Sequence, residues 1–255
     1  MKTGMKNASL NLKSKIKVKK QIESNDYMKK NELDILEFIS HELKNILGST
    51  IMCVYSIRDG FFGMLNFKQR LTVEAAIRNL KRLECTIYNF LEMSRIEEDR
   101  LEPKIKKTNI NKEIIKELAD SFLIDIYEKK ILFENNIPED LVIETDKDLM
   151  FIVFNNLINN AIKYGPNKGR IVLNFYTEKG KKIKFGIYND GEIIKDGDRK
   201  KIFNKFSRLE SEDNKKIKGT GLGLFIVKKI IESFNGRIWV EPKKDGNEFI
   251  FEIER

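Results

Sequence analysis

The only histidine of the chain, His41, lies in residues 38–47, FISHELKNIL, with Glu42 next to it and Asn45 one helical turn further on. A solvated imidazole keeps a pKa near ~6.5, so at pH 7 one neutral ring nitrogen is available as a nucleophile. A neighbouring carboxylate can accept the proton of the other ring nitrogen and fix the tautomer. These residue types predict a nucleophilic site, although taken alone they would also suit an ordinary charged helix surface.

A second set of candidate residues lies in residues 155–164, NNLINNAIKY. Asparagine has a mediocre helix propensity, so four of them within a predicted helix require a reason. Asn156 and Asn160 lie one turn apart on one helix face, and Lys163 and Tyr164 follow. Amide oxygens suit Mg²⁺, which bridges nucleotide phosphates, and a lysine adds positive charge beside them. This helix is therefore predicted to bind a nucleotide through Mg²⁺.

Three further segments follow the asparagine helix. Residues 189–194, NDGEII, end a strand at a glycine, where the backbone can approach a flat ligand. Residues 202–208, IFNKFSR, provide a phenylalanine anchor. The glycines of residues 219–224, GTGLGL, open a helix and expose backbone N–H groups to phosphates. A single glycine pattern of this kind is weak evidence, but in this order the segments predict one phosphate-binding site.

The element that carries His41 is predicted to be a long amphipathic helix over residues 29–61. On its register His41 lies on the solvated side, about 160° from Leu43. Gly60 and Gly63 predict a turn, and a second helix is predicted to end near Glu98. The apolar seams of the two helices comprise Leu36, Leu43, Leu47, Thr50, Val54, Ile57 and Phe61, then Leu80, Leu83, Ile87, Phe90 and Ser94.

Two long helices joined by a short turn form an antiparallel hairpin, which buries only one seam by itself. Two copies from two chains would complete a four-helix bundle, so we expect a homodimer. Residues 1–30 are polar and lysine-rich, and the sequence leaves open whether they form a coiled-coil lead-in or a disordered tail.

Pro103 and the polar residues around it predict a boundary to a second domain of mixed helices and strands. We therefore predict an α+β chain in which an α/β sandwich follows the helical hairpin. The predicted elements are a helix over 111–128, strands over 131–137 and 141–145, a helix capped by Asp146 and ending at 164, strands over 171–177 and 182–189, a helix over 222–234 closed by Asn235 and Gly236, and strands over 237–241 and 248–254.

The composition, 41% hydrophobic and 34% charged, is typical of a soluble globular protein. No run of 18 apolar residues and no signal peptide occur, so we expect a cytoplasmic protein without a membrane span. Cys53 and Cys85 are predicted to be buried thiols in a reducing compartment. The net charge of +9 is dispersed over the chain, so no nucleic-acid partner is expected.

In combination, these segments resemble the catalytic core of two-component sensor histidine kinases from about Asn31 onward. FISHELKN is similar to the phosphoacceptor box, NNLINNAIKY to the N box, NDGEII to the G1 box, IFNKF to the F box and GTGLGL to the G2 box. The resemblance implies a dimerisation and phosphotransfer domain over residues 31–101 and an ATP-binding domain of the GHKL (Bergerat) type over residues 108–255. It implies ATP and Mg²⁺ as cofactors.

The same resemblance implies that His41 is phosphorylated, that Glu42 accepts its proton, and that the phosphoryl group passes to an aspartate of a response regulator's receiver domain. Asn45 would orient a water for dephosphorylating that regulator, an activity which the sequence leaves open. Asn160 would bind Mg²⁺. The residues implied at the nucleotide are Asn156, Asn160, Lys163, Tyr164, Asn189, Asp190, Gly191, Phe206, Arg208, Gly219, Thr220, Gly221, Leu222 and Gly223.

The chain departs from the family pattern at three positions. Ile46 stands where the acceptor box usually has proline, which would reduce a kink in the helix. Asn189 stands where the G1 box has the aspartate that holds adenine, and Ile193 replaces its second glycine. An asparagine carbonyl can also accept the adenine N–H, and the sequence leaves open whether Asn189 or Asp190 does so.

These departures motivate an alternative, a non-catalytic dimeric docking module whose shape is set by nucleotide binding. A chaperone or mismatch-repair ATPase of the same fold would have no histidine hairpin. The stimulus and the upstream sensor partner that we expect cannot be named from the sequence.

Overall fold

The computed structural model describes residues 39, 42–43, 45–97, 101–177, 182–209 and 220–254. They fall into two compact units, which divide between Leu91 and Glu92. The predicted lead-in over residues 1–30 and the histidine itself lie outside the described residues. No helix in the described part of the chain is long and apolar enough to cross a membrane.

The first unit is a helical hairpin. Helix α1 is continuous over residues 45–58, and α2 spans Phe67–Glu97. Between them Gly60 and Gly63 have φ angles of 84° and 109°, which glycine adopts without strain, and this confirms the predicted turn. A capping box then opens α2, because Asn66 Oδ1 accepts from the Gln69 N–H at 3.0 Å and Gln69 Oε1 accepts from the Asn66 N–H at 2.9 Å.

The buried seam of α1 differs from the predicted one. Leu47 and Ile51 are buried, whereas Thr50 is exposed and its hydroxyl donates to Ile46 O at 2.7 Å. Such a bond within its own helix satisfies the hydroxyl at the surface, so the adjacent isoleucine occupies the seam. Phe61 was predicted to extend the seam but lies in the turn with 81% of its surface exposed.

Cys53 is exposed, so the prediction of a buried thiol there is wrong. It lies between the seam residue Ile51 and the half-buried Val54, on a side of α1 that other elements of the described hairpin do not cover. The side chain of Cys85 lies outside the described part of the chain.

The second unit contains two sheets. A two-stranded antiparallel sheet pairs β1 with β3, and a five-stranded sheet has the order β2-β4-β5-β7-β6. In the larger sheet only β2 and β4 are parallel, and the other neighbours are antiparallel. The strands are β1 (Lys106–Asn109), β2 (Leu132–Asn135), β3 (Val142–Thr145), β4 (Arg170–Thr177), β5 (Lys182–Asp190), β6 (Arg237–Lys243) and β7 (Gly246–Glu254).

Three helices cover one face of the five-stranded sheet. Helix α4 packs on β4 and β5, α5 packs on β6 and β7, and α3 packs on α4. They are α3 (Lys116–Glu128, preceded by a π-helical turn over Asn111–Ile115), α4 (Lys147–Tyr164) and α5 (Gly223–Ser233). At the centre Phe154 of α4 meets Phe185 of β5 and Phe251 of β7 edge to face, at ring distances of 5.4 and 5.6 Å. This two-layer arrangement confirms the predicted α/β sandwich.

Local signals place the ends of α4 and α5 as predicted. Asp146 Oδ1 accepts from the N–H groups of Asp148 and Leu149 at 2.9 and 3.1 Å, which satisfies the first turn of α4. Its Oδ2 also accepts from the Lys104 N–H at 2.7 Å. After α5, Asn235 adopts a φ of 52°, the left-handed conformation that ends many helices.

Strand β1 was not predicted, because its residues fall in the polar run assigned to the domain boundary. Only Thr108 of its four residues is buried, so no apolar alternation marks it. The strands predicted over 131–137 and 141–145 exist as β2 and β3 but belong to different sheets. The predicted domain limits at 31, 101 and 108 stay predictions.

Candidate functional site

The asparagine helix α4 presents its polar face to the start of α5. Asn156 is buried, and its Nδ2 donates to Ile152 O at 2.9 Å. A Cβ atom on Gly223 would lie 2.7 Å from Asn156 Oδ1, so a side chain there would displace the Asn156 amide. Asn160 and Lys163 are half-buried further along the helix, and Tyr164 at its end is 42% exposed.

The end of β5 presents Asn189 and Asp190 on opposite faces of the sheet, since side chains alternate along a strand. Asn189 shares the helix-covered face with Phe185, and its Nδ2 donates to Asp190 O at 2.9 Å. The carboxylate of Asp190 accepts from the Arg170 N–H at 2.7 Å and from the Tyr188 hydroxyl at 2.5 Å. Asn189, which is buried, is therefore the residue that faces α4.

The ends of α4 and β5 approach each other through glycines. Gly191 has a φ of 146°, and a Cβ atom there would lie 3.1 Å from Tyr164 O. A Cβ atom on Gly165 would lie 2.6 Å from Ala161 O and 3.4 Å from Asp190 O. The backbone contact brings Tyr164 and Asn189, two of the predicted site residues, to the same end of the sheet.

The loop after Gly191 is held by a residue that the sequence did not suggest. Asn247, a buried residue of β7, accepts from the Ile194 N–H at 2.9 Å and donates to Glu192 O at 2.8 Å. Ile193, which replaces the family's second glycine, lies between these two contacts and is 44% exposed. Asn247 directly precedes the strand predicted over 248–254, and a longer strand was the signal that could have identified it.

The predicted phenylalanine segment contacts the glycine-rich segment. Phe206 has a φ of 60° and is 64% exposed, so the buried anchor is Phe203, which meets Phe249 at a ring distance of 6.4 Å. A Cβ atom on Gly221, whose φ is 71°, would lie 2.9 Å from Phe206 Cα. The two segments therefore pack backbone to backbone.

The remaining site residues are placed as follows. Thr220 is exposed and its Oγ1 accepts from the Leu222 N–H at 3.4 Å, while Arg208 is exposed and Gly219 lies outside the described residues. On the other unit Glu42 and Asn45 are exposed on α1, next to the undescribed His41. The helix continues through Ile46 without a break.

The donor set of the site suits a nucleotide with a hard divalent cation. Within the described residues no group of three or more His, Cys, Asp or Glu side chains could hold a metal. Asn156 and Asn160 offer amide groups, and a hard cation that keeps waters and phosphate oxygens needs few protein ligands. Gly191, Gly221 and Gly223 each lie where a side chain would collide with a neighbouring element or strain the backbone.

The chain is similar to known kinases over these same elements. Residues 145–255 match the family described as histidine kinase-, DNA gyrase B- and HSP90-like ATPase. The chain is 28% identical over 209 residues to adaptive-response sensory kinase SasA of Synechococcus sp. (strain JA-3-3Ab), covering 81% of this chain and 55% of the relative. It spans about half the length of the first curated relatives it matches.

Two solved structures give the same result. The nucleotide-free catalytic domain of histidine kinase ThkA is 32% identical with a TM-score of 0.52, covering 59% of this chain and 95% of that one. ThkA in complex with response regulator protein TrrA is 26% identical with a TM-score of 0.53, covering 89% of this chain and 64% of that one.

Proposed function

Since this chain belongs to the sensor histidine kinase family, we propose that it is an ATP-dependent kinase that phosphorylates its own His41 and passes the phosphoryl group to an aspartate of a response regulator. The observations that carry the proposal are the contact of Asn156 in α4 with Gly223 at the start of α5, and the approach of Tyr164 at the end of α4 to Gly191 after β5, where Asn189 is buried on the helix-covered face. The comparisons do not favour the alternative of a non-catalytic docking module.

The nucleotide roles follow from the polar groups at each position. Asn189 uses its Nδ2 on Asp190 O, which leaves its Oδ1 as the acceptor for an adenine N–H. Tyr164 lines the adenine and ribose side, while Asn156 and Lys163 serve the phosphates and Asn160 serves Mg²⁺. When bound, ATP supplies the phosphoryl group and Mg²⁺ offsets the negative charge that develops on it.

The acceptor chemistry belongs to α1. One ring nitrogen of His41 attacks the γ-phosphorus, and the new N–P bond forms as the bond from phosphorus to the bridging oxygen breaks. Glu42 accepts the proton of the other ring nitrogen, which keeps the attacking nitrogen unprotonated. The N–P bond then breaks as an aspartate oxygen of the regulator bonds to phosphorus. Asn45, which is exposed and lies one turn along the chain from His41, orients a water that hydrolyses the phosphoryl group from the regulator's aspartate.

The proposed partners are a second copy of this chain, a receiver domain of a response regulator and an upstream sensor. Exposed apolar side chains along the hairpin support the homodimer, among them Ile46, Met52, Leu71 and Leu83 at 59%, 65%, 55% and 48% exposure. The use of ATP and of a response regulator favours the cytoplasm as the location.

The proposal is tested by labelling with [γ-³²P]ATP. The wild-type chain is expected to gain an acid-labile, base-stable label, and His41→Gln is expected to lose it while still binding ATP. Asn45→Ala, on the same exposed stretch of α1, is the matched control and should label normally. An acid-labile label that persists in His41→Gln would refute the assignment.

A further inference from the structure

The last turn of α4 is closed by a lysine from another part of the unit. Lys129, which directly follows α3, is half-buried, and its Nζ donates to Ile162 O at 2.5 Å and to Gly165 O at 3.4 Å. The last carbonyls of a helix have no partner within the helix, and a cation there also interacts favourably with the helix dipole. Lys129 therefore fixes the end of α4 from outside.

The backbone around Lys129 reinforces this attachment. Lys129 O accepts from the Lys168 N–H at 2.7 Å, and the Leu132 N–H donates to Gly169 O at 2.9 Å. The connection from α3 to β2 is thus tied at two points to the connection from α4 to β4. These two hydrogen bonds hold the backbone of Lys129 beside the end of α4, within reach of its side chain.

One of the two carbonyls that Lys129 binds, that of Gly165, belongs to a residue next to the end of β5. A Cβ atom on Gly165 would lie 3.4 Å from Asp190 O, the same oxygen that accepts from Asn189 Nδ2. Tyr164, the preceding residue, has its carbonyl oxygen against Gly191. Lys129 therefore binds the backbone where α4 ends, close to the end of β5 that carries Asn189 and directly after Tyr164.

Burial reduces what the charge of Lys129 contributes to the stability of the fold. Burial lowers its pKa, and the nearby Asp125 offsets this only in part. A folded-state pKa below the unfolded one means that the charged lysine opposes folding at neutral pH, and that this opposition fades as the pH rises into the alkaline range.

We infer that Lys129 is a positioning residue for the nucleotide, which holds Tyr164 and Asn189 at the spacing that the adenine end requires by binding the carbonyls of Ile162 and Gly165. This inference rests on the proposed nucleotide site. It predicts that loss of Lys129 weakens nucleotide binding without weakening the fold to a similar extent.

The test compares Lys129→Met with Lys130→Met in the full chain. Lys130 is the exposed neighbour of Lys129, and its substitution removes the same charge. Its φ of 54° is left-handed, and lysine and methionine are equally strained in that conformation. By calorimetry, ADP should bind roughly tenfold more weakly to Lys129→Met, because binding must then order the residues at the adenine end that Lys129 holds in place in the wild type. Lys130→Met should match the wild type, and Lys129→Arg, which keeps the charge and the donors, should recover most of the affinity.

Thermal unfolding without nucleotide separates positioning from a structural role. The midpoints of Lys129→Met and Lys130→Met should agree with that of the wild type. Unchanged ADP affinity in Lys129→Met would overturn the inference, and so would a loss of affinity matched by an equal loss of unliganded stability. If the wild type bound no ADP, the proposed function would fail first, and the inference with it.

Discussion

The side chains of Asn189 and Asp190 lie on opposite faces of the sheet, and this difference determines which of the two faces the helices. The family motif would have its aspartate at position 189, whereas in this chain the aspartate comes one residue later. Both carboxylate oxygens of Asp190 are used on the face of the sheet that the helices do not cover, by Arg170 and Tyr188. The amide of Asn189 faces the helices, so the acceptor that we propose for adenine is a neutral carbonyl oxygen.

This arrangement predicts opposite results for two adjacent substitutions. Asn189→Ala should weaken Mg-ATP binding by roughly tenfold or more, since it removes the proposed acceptor for the adenine amino group. Asp190→Asn should stay within roughly threefold of the wild type, because the amide oxygen can still accept from the Arg170 backbone N–H while the amide NH2 donates to the Tyr188 hydroxyl oxygen. Isothermal calorimetry on both variants measures this. A larger loss in Asp190→Asn would show that the aspartate is the one that contacts adenine.

At the scale of elements, β7 is joined to both of its neighbours by one buried carboxylate. Glu252 is 2% exposed, and its Oε1 accepts from Lys182 Nζ of β5 and from Arg237 Nε of β6, each at 2.8 Å. Burial alone would raise the pKa of Glu252, but the hydrogen bonds from Lys182 and Arg237 outweigh it and hold the pKa below its ordinary value. The ionised carboxylate therefore stabilises the folded sheet.

The sign of this shift predicts an acid-dependent stability. The contribution should be complete above the ordinary glutamate pKa of about 4.3, and should be lost as the pH falls through the lower folded-state pKa. Glu252→Gln should reduce the free energy of unfolding by about 1–3 kcal/mol at pH 7, and the difference should shrink below about pH 4. Urea unfolding followed by Trp239, the only tryptophan, measures this.

Glu254→Gln is the control for this experiment, since Glu254 is exposed on the same strand. It should change stability little at either pH. A penalty in Glu252→Gln that stays constant from pH 7 to pH 3 would mean that the carboxylate acts through its shape and not its charge.

The sequence predicted those elements whose signals are local. Asp146 was recognisable as a cap because its hydrogen bonds reach only two and three residues ahead. Thr50 was misassigned because a helical register allows either it or Ile51 to occupy the seam. Asn247 and Lys129 were missed because their partners lie 55 and 33 residues away, at distances that no local pattern encodes.

At the scale of the whole molecule, the hairpin leaves many apolar side chains in water. Leu83 was predicted to lie in the seam of α2, yet it is 48% exposed. Leu71 on the same helix is 55% exposed, and Met52 on α1 is 65% exposed. Exposed large apolar side chains in this number favour an interaction surface, which supports the proposed four-helix dimer.

A charge on this surface should therefore change the oligomeric state. Leu83→Lys is expected to shift the mass measured by light scattering from that of a dimer toward that of a monomer, because burying an unpaired charge in an interface is costly. Leu123→Lys is the matched control, since Leu123 is 62% exposed on α3 of the other unit. Equal masses for wild type and Leu83→Lys would argue against the proposed interface.

The order of the strands also determines how this protein can be made. Strand β7 follows every other strand of the five-stranded sheet in the chain but lies between β5 and β6. Strand β5 is therefore synthesised well before the hairpin of β6 and β7 that completes the sheet, and Phe154 and Phe185 cannot yet meet Phe251. Until then β5 has an open edge and β6 has no partner in the sheet, which is the state most prone to aggregation. A stop codon before residue 246 would leave the nascent chain in that state, even though every proposed nucleotide-binding residue had already been translated.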